Sequence, residues 1–264
     1  MTPKPKADVN LTEGEKLFIE GRAYKRYVEA QTYLVRKVPV LGIPLLEKLP
    51  PVVSYNVQAM ATDGTCILYN PEWVVEQPLL ELVHVIAHEV AHVAFKHMTR
   101  RKHRDQKLWN VATDYQVNSY LHKMGVGQMP SNCLYEDKYN GMLMTSDAIY
   151  NDLVRESQPE PSEEKPKSPS SNGDNPLQEE IDIAASYGWV DDYDGSDPEA
   201  FSKDEGYDAN GKPIPVSQSP ANIQELEDQM DEAVSHGEFA HQKISGNDPA
   251  ISINEIMEPA DIEV

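Results

Sequence analysis

The chain contains few cysteines and no long apolar run. Only two of its 264 residues are cysteines, which is too few for a disulfide scaffold and is typical of a reducing compartment. No window approaches the roughly 18 uninterrupted apolar residues that a membrane-spanning helix needs. The lysines near the N-terminus are not followed by the apolar core of a secretion signal. We therefore expect a cytoplasmic protein that does not enter a membrane.

Basic residues are scarce in one part of the chain. Lys and Arg total 23 against 44 Asp and Glu, which gives a net charge of −21. Residues 1–155 carry 18 basic and 17 acidic side chains, whereas residues 156–264 carry 5 and 27. Because a surface this acidic repels phosphate, we expect neither nucleic acids nor anionic membranes as partners.

Apolar residues are also unevenly distributed, and this predicts the domain organisation. Leu, Ile, Val and Phe make up only 17 of the 109 residues after position 155, a composition typical of disorder. We predict a folded domain at 1–155, a Pro/Ser/Glu linker at 156–175 and an acidic, partly disordered region at 176–264. The acidic region is interpreted as solvated linker or as a segment that covers the active site, because its Asp-rich stretches lack the spacing of a calcium loop.

Local signals predict an α+β fold that is mainly helical with a small β-hairpin sheet, followed by an acidic, largely irregular tail. Thr12 and Glu15 form a capping box for a helix that ends near Arg36, before the irregular connection predicted for the proline-rich residues 39–54. Asp63-Gly64 is a strong hairpin turn. Further helices are predicted to begin at Asn70-Pro71, after Pro78 (continuous to His103), at Asp105 (ending at Gly125), near Ser146 and, beyond a small hairpin at Asn210-Gly211, at about Pro220.

The helix after Pro78 contains the HExxH motif, with His88, Glu89 and His92. Residues four apart lie about 40° apart around a helix, so both histidines share one face and can bind one zinc ion. Glu89 lies beside that face, where it can take a proton from a zinc-bound water. The competing interpretation is a pair of packed core histidines, but a buried Glu89 without a metal would then be costly.

A catalytic zinc also needs a third protein ligand and an open position. The next helix carries Asn110, Asp114 and Asn118 at i, i+4 and i+8, which form one polar stripe on an otherwise apolar helix. We predict that Asp114 is the ligand. Asn110 and Asn118 are predicted to orient the ligands through hydrogen bonds.

Three other residues are alternatives for the site. His84 lies one turn before His88 and is a rival ligand, although its position is about 80° from that of His92. His97 lies about 140° round the helix from His92 and is predicted to pack or to cap. Cys133 is a possible ligand, for which a free loop thiol is the simpler interpretation.

The segment around these residues resembles a known family. The HExxH helix, a further histidine at position 97 and the pattern Trp-Asn-x-Ala-x-Asp-x-x-x-Asn at 109–118 are similar to the metallopeptidase domain that precedes a von Willebrand factor A-like domain. The flanks LYNPEWV and MLMTSDAIYNDL extend the resemblance over about residues 12–155. The resemblance implies a zincin-like fold. The ending NEIMEPADIEV resembles the segment that precedes the A-like domain, and we expect that domain to be missing or absent here.

The chemistry of such a protease calls for two further features. A hydrogen-bond donor must face the zinc to stabilise the oxyanion, and Tyr115 and Tyr120 are candidates, although helical tyrosines more often belong to the core. In zincin-type proteases an extended substrate pairs with an edge strand, which the hairpin at 55–69 is expected to supply.

These observations predict a zinc-dependent metallopeptidase with one Zn2+ per chain, acting on peptide or protein substrates. The alternative is a zinc-stabilised binding or adaptor module that works with a MoxR-type AAA+ ATPase, a partner that the family pairing implies. An open metal position beside Glu89 favours hydrolysis, whereas a closed shell of four protein ligands favours the structural role.

Overall fold

The computed structural model describes residues 11–140, 144–157, 177, 206–207, 213–214 and 223–245. The helices are α1 (Glu13–Lys37), α2 (Pro39–Lys48), α3 (Pro71–Glu76), α4 (Leu79–Ala94), α5 (His97–Arg100), α6 (Gln106–Met124), α7 (Asp137–Asn140), α8 (Ser146–Ser157) and α9 (Ile223–Ser245). The strands are β1 (Pro51–Val53), β2 (Met60–Thr62), β3 (Ile67–Tyr69), β4 (Gly206–Tyr207) and β5 (Pro213–Ile214). None of the described helices combines the length and apolarity that crossing a membrane requires.

A small mixed sheet confirms the predicted hairpin and the α+β class. β3 lies in the centre, parallel to β1 and antiparallel to β2, with Ala61 opposite Leu68. The Oδ1 atom of Asp63 holds the turn between β2 and β3, because it accepts hydrogen bonds from the backbone N–H groups of Thr65 (2.8 Å) and Cys66 (3.1 Å). The third strand, β1, was not predicted.

Several helix boundaries agree with their local signals. The Thr12–Glu15 capping box is present in full, Asn70 caps α3, the Asp105 carboxylate accepts from the N–H of Leu108, and Gly125 ends α6 in a left-handed conformation. α8 confirms the helix predicted near Ser146, and α9 confirms the helix predicted after Pro220. β4 pairs with β5 where the second hairpin was expected.

Residues 39–54 are not an irregular connection as predicted, because they contain α2 as well as β1. Pro39 stands at the first helical position, where a fixed φ and a missing N–H do no harm. Pro44 lies inside the helix, which local propensity disfavours. Burial outweighs that preference, since Val40, Leu41 and Leu45 are fully buried in the main core.

The helix after Pro78 does not run to His103 as predicted, but ends at Ala94. Lys96 adopts a left-handed conformation with φ of 56°, and the short helix α5 follows it. The guanidinium of Arg100 donates to the Phe95 carbonyl (3.2 Å), which satisfies an acceptor freed at the helix end. No glycine marks this break, so no local signal predicted it.

The two long helices that carry the motifs form the interior of the protein. α4 packs against α1, α2, β2 and α6, and every residue from Leu82 to Ala94 is buried. α6 is buried from Trp109 to Leu121, and its other side packs against α8. Polar side chains at the α4–α6 contact are therefore withdrawn from solvent.

The helix α9, from the acidic part of the chain, packs against α2 and α4. Met230, Ala233 and Val234 are buried there. At Gly237 the helices come so close that a Cβ atom would lie 2.6 Å from the Pro39 carbonyl oxygen. Apart from the last two residues of α8, the linker predicted at 156–175 lies outside the described residues, and the division into domains stays a prediction.

Candidate metal centre

Three buried side chains from α4 and α6 converge on one point. The Nε2 atoms of His88 and His92 lie 2.8 Å apart. The Oδ1 atom of Asp114 lies 3.5 Å from the first and 3.2 Å from the second. Among the described residues, these three form the cluster of His, Cys and acidic side chains that could hold a metal ion.

The donor set fits a metal ion. Four-coordinate zinc, bound at 2.0–2.1 Å from nitrogen and oxygen, places its ligand atoms about 3.3 Å apart, and the three observed separations bracket that distance. All three groups are at most 3 % exposed. Without a cation or a shared proton, two imidazole lone pairs and a carboxylate would repel one another in this buried site.

Glu89 lies beside the cluster on α4, and its carboxylate forms no hydrogen bond or ion pair with the described residues. Both of its carboxylate oxygens are buried without a hydrogen-bond partner in the described structure. Burial raises the pKa of Glu89 to about 8, with Asp114 adding to the shift and His88 opposing it. An orphaned buried carboxyl is unfavourable for stability, which makes Glu89 a candidate for a chemical role.

The protonation states of His92 and Asp114 suit a divalent cation, whereas for His88 burial acts to lower the pKa but the hydrogen bond and charge of Asp114 raise it above the ordinary value. Burial lowers the pKa of His92 to about 4, so its ring is neutral near pH 7. Burial acts to raise the pKa of Asp114, but hydrogen bonds with His88 and His92 lower it below the ordinary value. A neutral imidazole and an ionised carboxylate are the forms that bind a metal.

Asn118 contacts the first ligand in the way an orienting residue would. Its Oδ1 lies 2.9 Å from Nδ1 of His88, and its Nδ2 donates to the Leu134 carbonyl (2.9 Å), which identifies the amide oxygen. His88 therefore donates from Nδ1, and its Nε2 is the nitrogen that faces His92 and Asp114. The predicted orienting role of Asn118 is supported by this geometry, although it stays a prediction.

Asn110 is the other member of the predicted polar stripe. It is 2 % exposed, and its Oδ1 has no hydrogen-bond partner among the described residues. Its role in orienting a ligand therefore stays a prediction without a supporting contact.

His97 lies closer to the site than its spacing on a continuous helix indicated. Because the chain turns at Lys96, the Nδ1 of His97 lies 3.1 Å from Nδ1 of His92. Its Nε2 lies 3.0 Å from Oε1 of Gln116, a buried residue of α6 that the sequence reasoning missed. Gln116 lies two residues from Asp114, but nothing in the spacing distinguishes it from a core position.

The alternative ligands are placed outside the cluster. The Nδ1 of His84 lies 3.0 Å from the Val126 carbonyl, and its Nε2 is 3.4 Å from Oδ1 of Asn118. Burial lowers the pKa of His84 to about 4, so the ring is neutral. Cys133 is a free, partly buried thiol whose pKa is raised by burial and secondarily by Asp114.

The two candidate oxyanion donors make other contacts. The hydroxyl of Tyr115 donates to Oε1 of Glu136 (3.3 Å), and its ring packs against Tyr139. The ring of Tyr120 packs against Phe95, and burial raises the pKa of its hydroxyl. Stabilisation of an oxyanion by either residue stays a prediction.

The expectation that the hairpin supplies an open edge strand is wrong. β3 is paired on both sides, and Met60, Ala61 and Thr62 of β2 are each only 2 % exposed. A substrate strand would have no accessible backbone to pair with there.

The fold and the site together define a mainly helical domain with a buried His–His–carboxylate cluster suited to a metal ion. The chain belongs to the family described as "Putative metallopeptidase domain", whose profile matches residues 23–258. An uncharacterized protein of Thermotoga maritima is 30 % identical over 78 residues, which are 29 % of this chain. The matched segment spans only 20 % of that relative's length. No solved structure matches this chain significantly.

Proposed function

We propose that this protein is a zinc-dependent peptidase that hydrolyses peptide bonds. The observation that carries the proposal is the convergence of His88 Nε2, His92 Nε2 and Asp114 Oδ1 beside the unpartnered carboxyl of Glu89. The family supplies independent support, because its description is that of a metallopeptidase domain.

His88, His92 and Asp114 are the residues that would hold zinc. When bound, zinc lowers the pKa of a water molecule and polarises the carbonyl of the scissile bond. The ionised Asp114 compensates part of the charge of the cation, and Asn118 keeps His88 in the tautomer that presents Nε2.

Glu89 is proposed as the general base and acid. Its carboxylate takes a proton from the attacking water and then delivers that proton to the leaving amine. A pKa near the working pH suits both tasks, and burial moves the pKa of Glu89 in that direction, to about 8. No group among the described residues forms a hydrogen bond with either oxygen, so a water held beside the metal would have no protein competitor for them.

The number of ligands favours hydrolysis over the adaptor role. The described part of the chain supplies three ligands, the number typical of catalytic zinc sites, which keep one position open for water or substrate. Work with a MoxR-type AAA+ ATPase is compatible with this activity and stays a proposal without a structural observation behind it.

The test compares Glu89→Gln with wild type in the full chain. We expect both to bind about one zinc per chain, measured by elemental mass spectrometry, since Glu89 is not a ligand. Hydrolysis of an unfolded, fluorescein-labelled protein substrate should fall at least about 100-fold in Glu89→Gln. Glu81→Gln, at the less buried start of the same helix, is the matched control and should keep its activity.

Two outcomes would contradict the proposal. Undiminished hydrolysis by Glu89→Gln would remove Glu89 from the mechanism. Wild-type protein that holds zinc but cleaves none of a panel of unfolded proteins would favour the adaptor module.

A further inference from the structure

A chain of buried polar contacts connects His92 to His97 and His97 to Gln116, on the side of His92 away from His88 and Asp114. We propose that His97 is a positioning residue, which together with Gln116 holds His92 in the tautomer that presents an unprotonated Nε2 to the metal. This inference rests on the proposed function, because it requires His92 to be a metal ligand.

The argument begins at Gln116, where the backbone identifies the amide oxygen. The N–H of Ser146, at the start of α8, lies 3.2 Å from the atom assigned as Oε1. A backbone N–H can only donate, so this atom must be an acceptor and is the oxygen. The Nε2 of His97, 3.0 Å from the same oxygen, must therefore carry a proton.

The proton on Nε2 determines the other side of the His97 ring. A neutral imidazole has one N–H, so the Nδ1 of His97 presents a lone pair. That lone pair lies 3.1 Å from Nδ1 of His92. The Nδ1 of His92 is therefore the donor, and its Nε2 carries no proton.

The tautomer that results is the one a ligand needs. The Nε2 of His92 faces Nε2 of His88 (2.8 Å) and Oδ1 of Asp114 (3.2 Å). Both ligand histidines thus donate from Nδ1, His88 to an amide oxygen of Asn118 and His92 to the ring of His97. Fixing a ligand in this way strengthens metal binding, typically by about 10- to 100-fold.

The local structure holds His97 in place for this contact. The left-handed residue Lys96 separates α4 from α5, and Nε1 of Trp109 donates to the His97 carbonyl (2.9 Å). The ring lies edge-on to Phe95 and Trp109, with centroids 5.5 and 6.3 Å away. The side chain is completely buried, so water does not compete for its nitrogens.

Two variants of similar size separate positioning from simple space filling. His97→Asn keeps an oxygen acceptor near the place of Nδ1. His97→Leu introduces a side chain of nearly the same shape as asparagine but without an acceptor. Zinc affinity is measured by competition with a chromophoric chelator, and folding is checked by the thermal unfolding midpoint.

We expect His97→Leu to bind zinc about 10- to 100-fold more weakly than wild type. His97→Asn should bind at least about 10-fold more tightly than His97→Leu. Equal zinc affinities in the two folded variants would overturn the proposal, because the ring would then only fill space.

The tautomers are read directly in the wild-type chain, which keeps the proposal testable if both variants unfold. Long-range ¹H–¹⁵N spectra of ¹⁵N-histidine-labelled protein should show His97 protonated at Nε2 with and without zinc, and His92 protonated at Nδ1 with zinc. A proton on Nδ1 of His97 would overturn the proposal. Failure of wild type to bind zinc would instead contradict the proposed function, and the metal-free spectrum would still report the His97 tautomer.

Discussion

Helix α4 is buried on opposite sides against two chemically different surfaces. Towards α1 and α2 it joins the main apolar core, which also contains the fully buried Leu34 and Leu45. Towards α6 it presents His88 and His92 to Asp114. Both sides exclude water, so burial does not distinguish them. The two sides differ in the interactions that their buried groups require.

The apolar side stabilises the protein by removing hydrocarbon from water, a contribution that needs no exact partner. The polar side contributes stability only when every donor, acceptor and charge is satisfied. Glu89 shows that this condition is not met by the protein alone, because both carboxylate oxygens lack a partner in the described structure. The comparison indicates that α4 is held in the apolar core on one side and contributes to the candidate metal centre on the other.

The largest effect, a loss of zinc affinity, is expected when the Asp114 carboxylate is removed from the polar side of α4. Asp114→Ala removes one of three ligands, so zinc affinity should fall more than about 100-fold, beyond the loss typical of a residue that only orients a ligand. Chelator competition measures it, with Asp147→Ala, in a partly buried ion pair with Arg100 and Arg104, as the control carboxylate. Zinc binding unchanged in Asp114→Ala would place the metal elsewhere.

A cavity on the apolar side should lower the free energy of unfolding and leave the zinc affinity unchanged. Leu34→Ala creates a cavity in the main core and should lower the free energy of unfolding by about 2–5 kcal/mol. Urea unfolding of the metal-free protein measures it, with Leu17→Ala, 68 % exposed on the same helix, as the control. The zinc affinity of folded Leu34→Ala should stay at the wild-type value, and a large loss would show that the two sides are coupled.

A smaller effect is expected where α9 meets α2. Gly237→Ala adds a Cβ atom 2.6 Å from the Pro39 carbonyl oxygen, which forces the helices apart. We expect a loss of about 1–3 kcal/mol in urea unfolding. Gly21→Ala, where a Cβ would meet nothing within 4 Å in α1, should instead stabilise by up to about 1 kcal/mol. Equal changes in the two variants would contradict the close packing of α9.

The smallest change in stability is expected when the Tyr27 hydroxyl is removed from the apolar side. The Tyr27 ring stacks on Tyr69, with centroids 5.4 Å apart, but its buried hydroxyl has no hydrogen-bond partner among the described residues. Tyr27→Phe should be neutral or stabilising by up to about 1 kcal/mol in thermal unfolding. A loss above 1 kcal/mol would reveal a partner for that hydroxyl.

Local sequence signals predicted the elements whose causes are local. The capping box at Thr12, the Asn70-Pro71 start and the glycine end at Gly125 each depend on contacts within about four residues. The two short strands of the first hairpin were predicted for the same reason. The helix α2 was missed because its prolines oppose helix formation locally, and only packing against α1, α4 and α9 outweighs that preference.

The same division holds within the candidate site. Helical spacing places His88 and His92 on one face whatever the rest of the fold, and the stripe of α6 makes Asp114 a candidate. The separation of 3.2 Å between His92 and Asp114 depends on how two helices pack, which spacing along either helix does not define. The contact between His92 and His97 depends in turn on the left-handed residue Lys96. The residues on either side of Lys96 are held by hydrogen bonds from Arg100, which is a local contact, and from Trp109 of α6, which depends on how α6 packs.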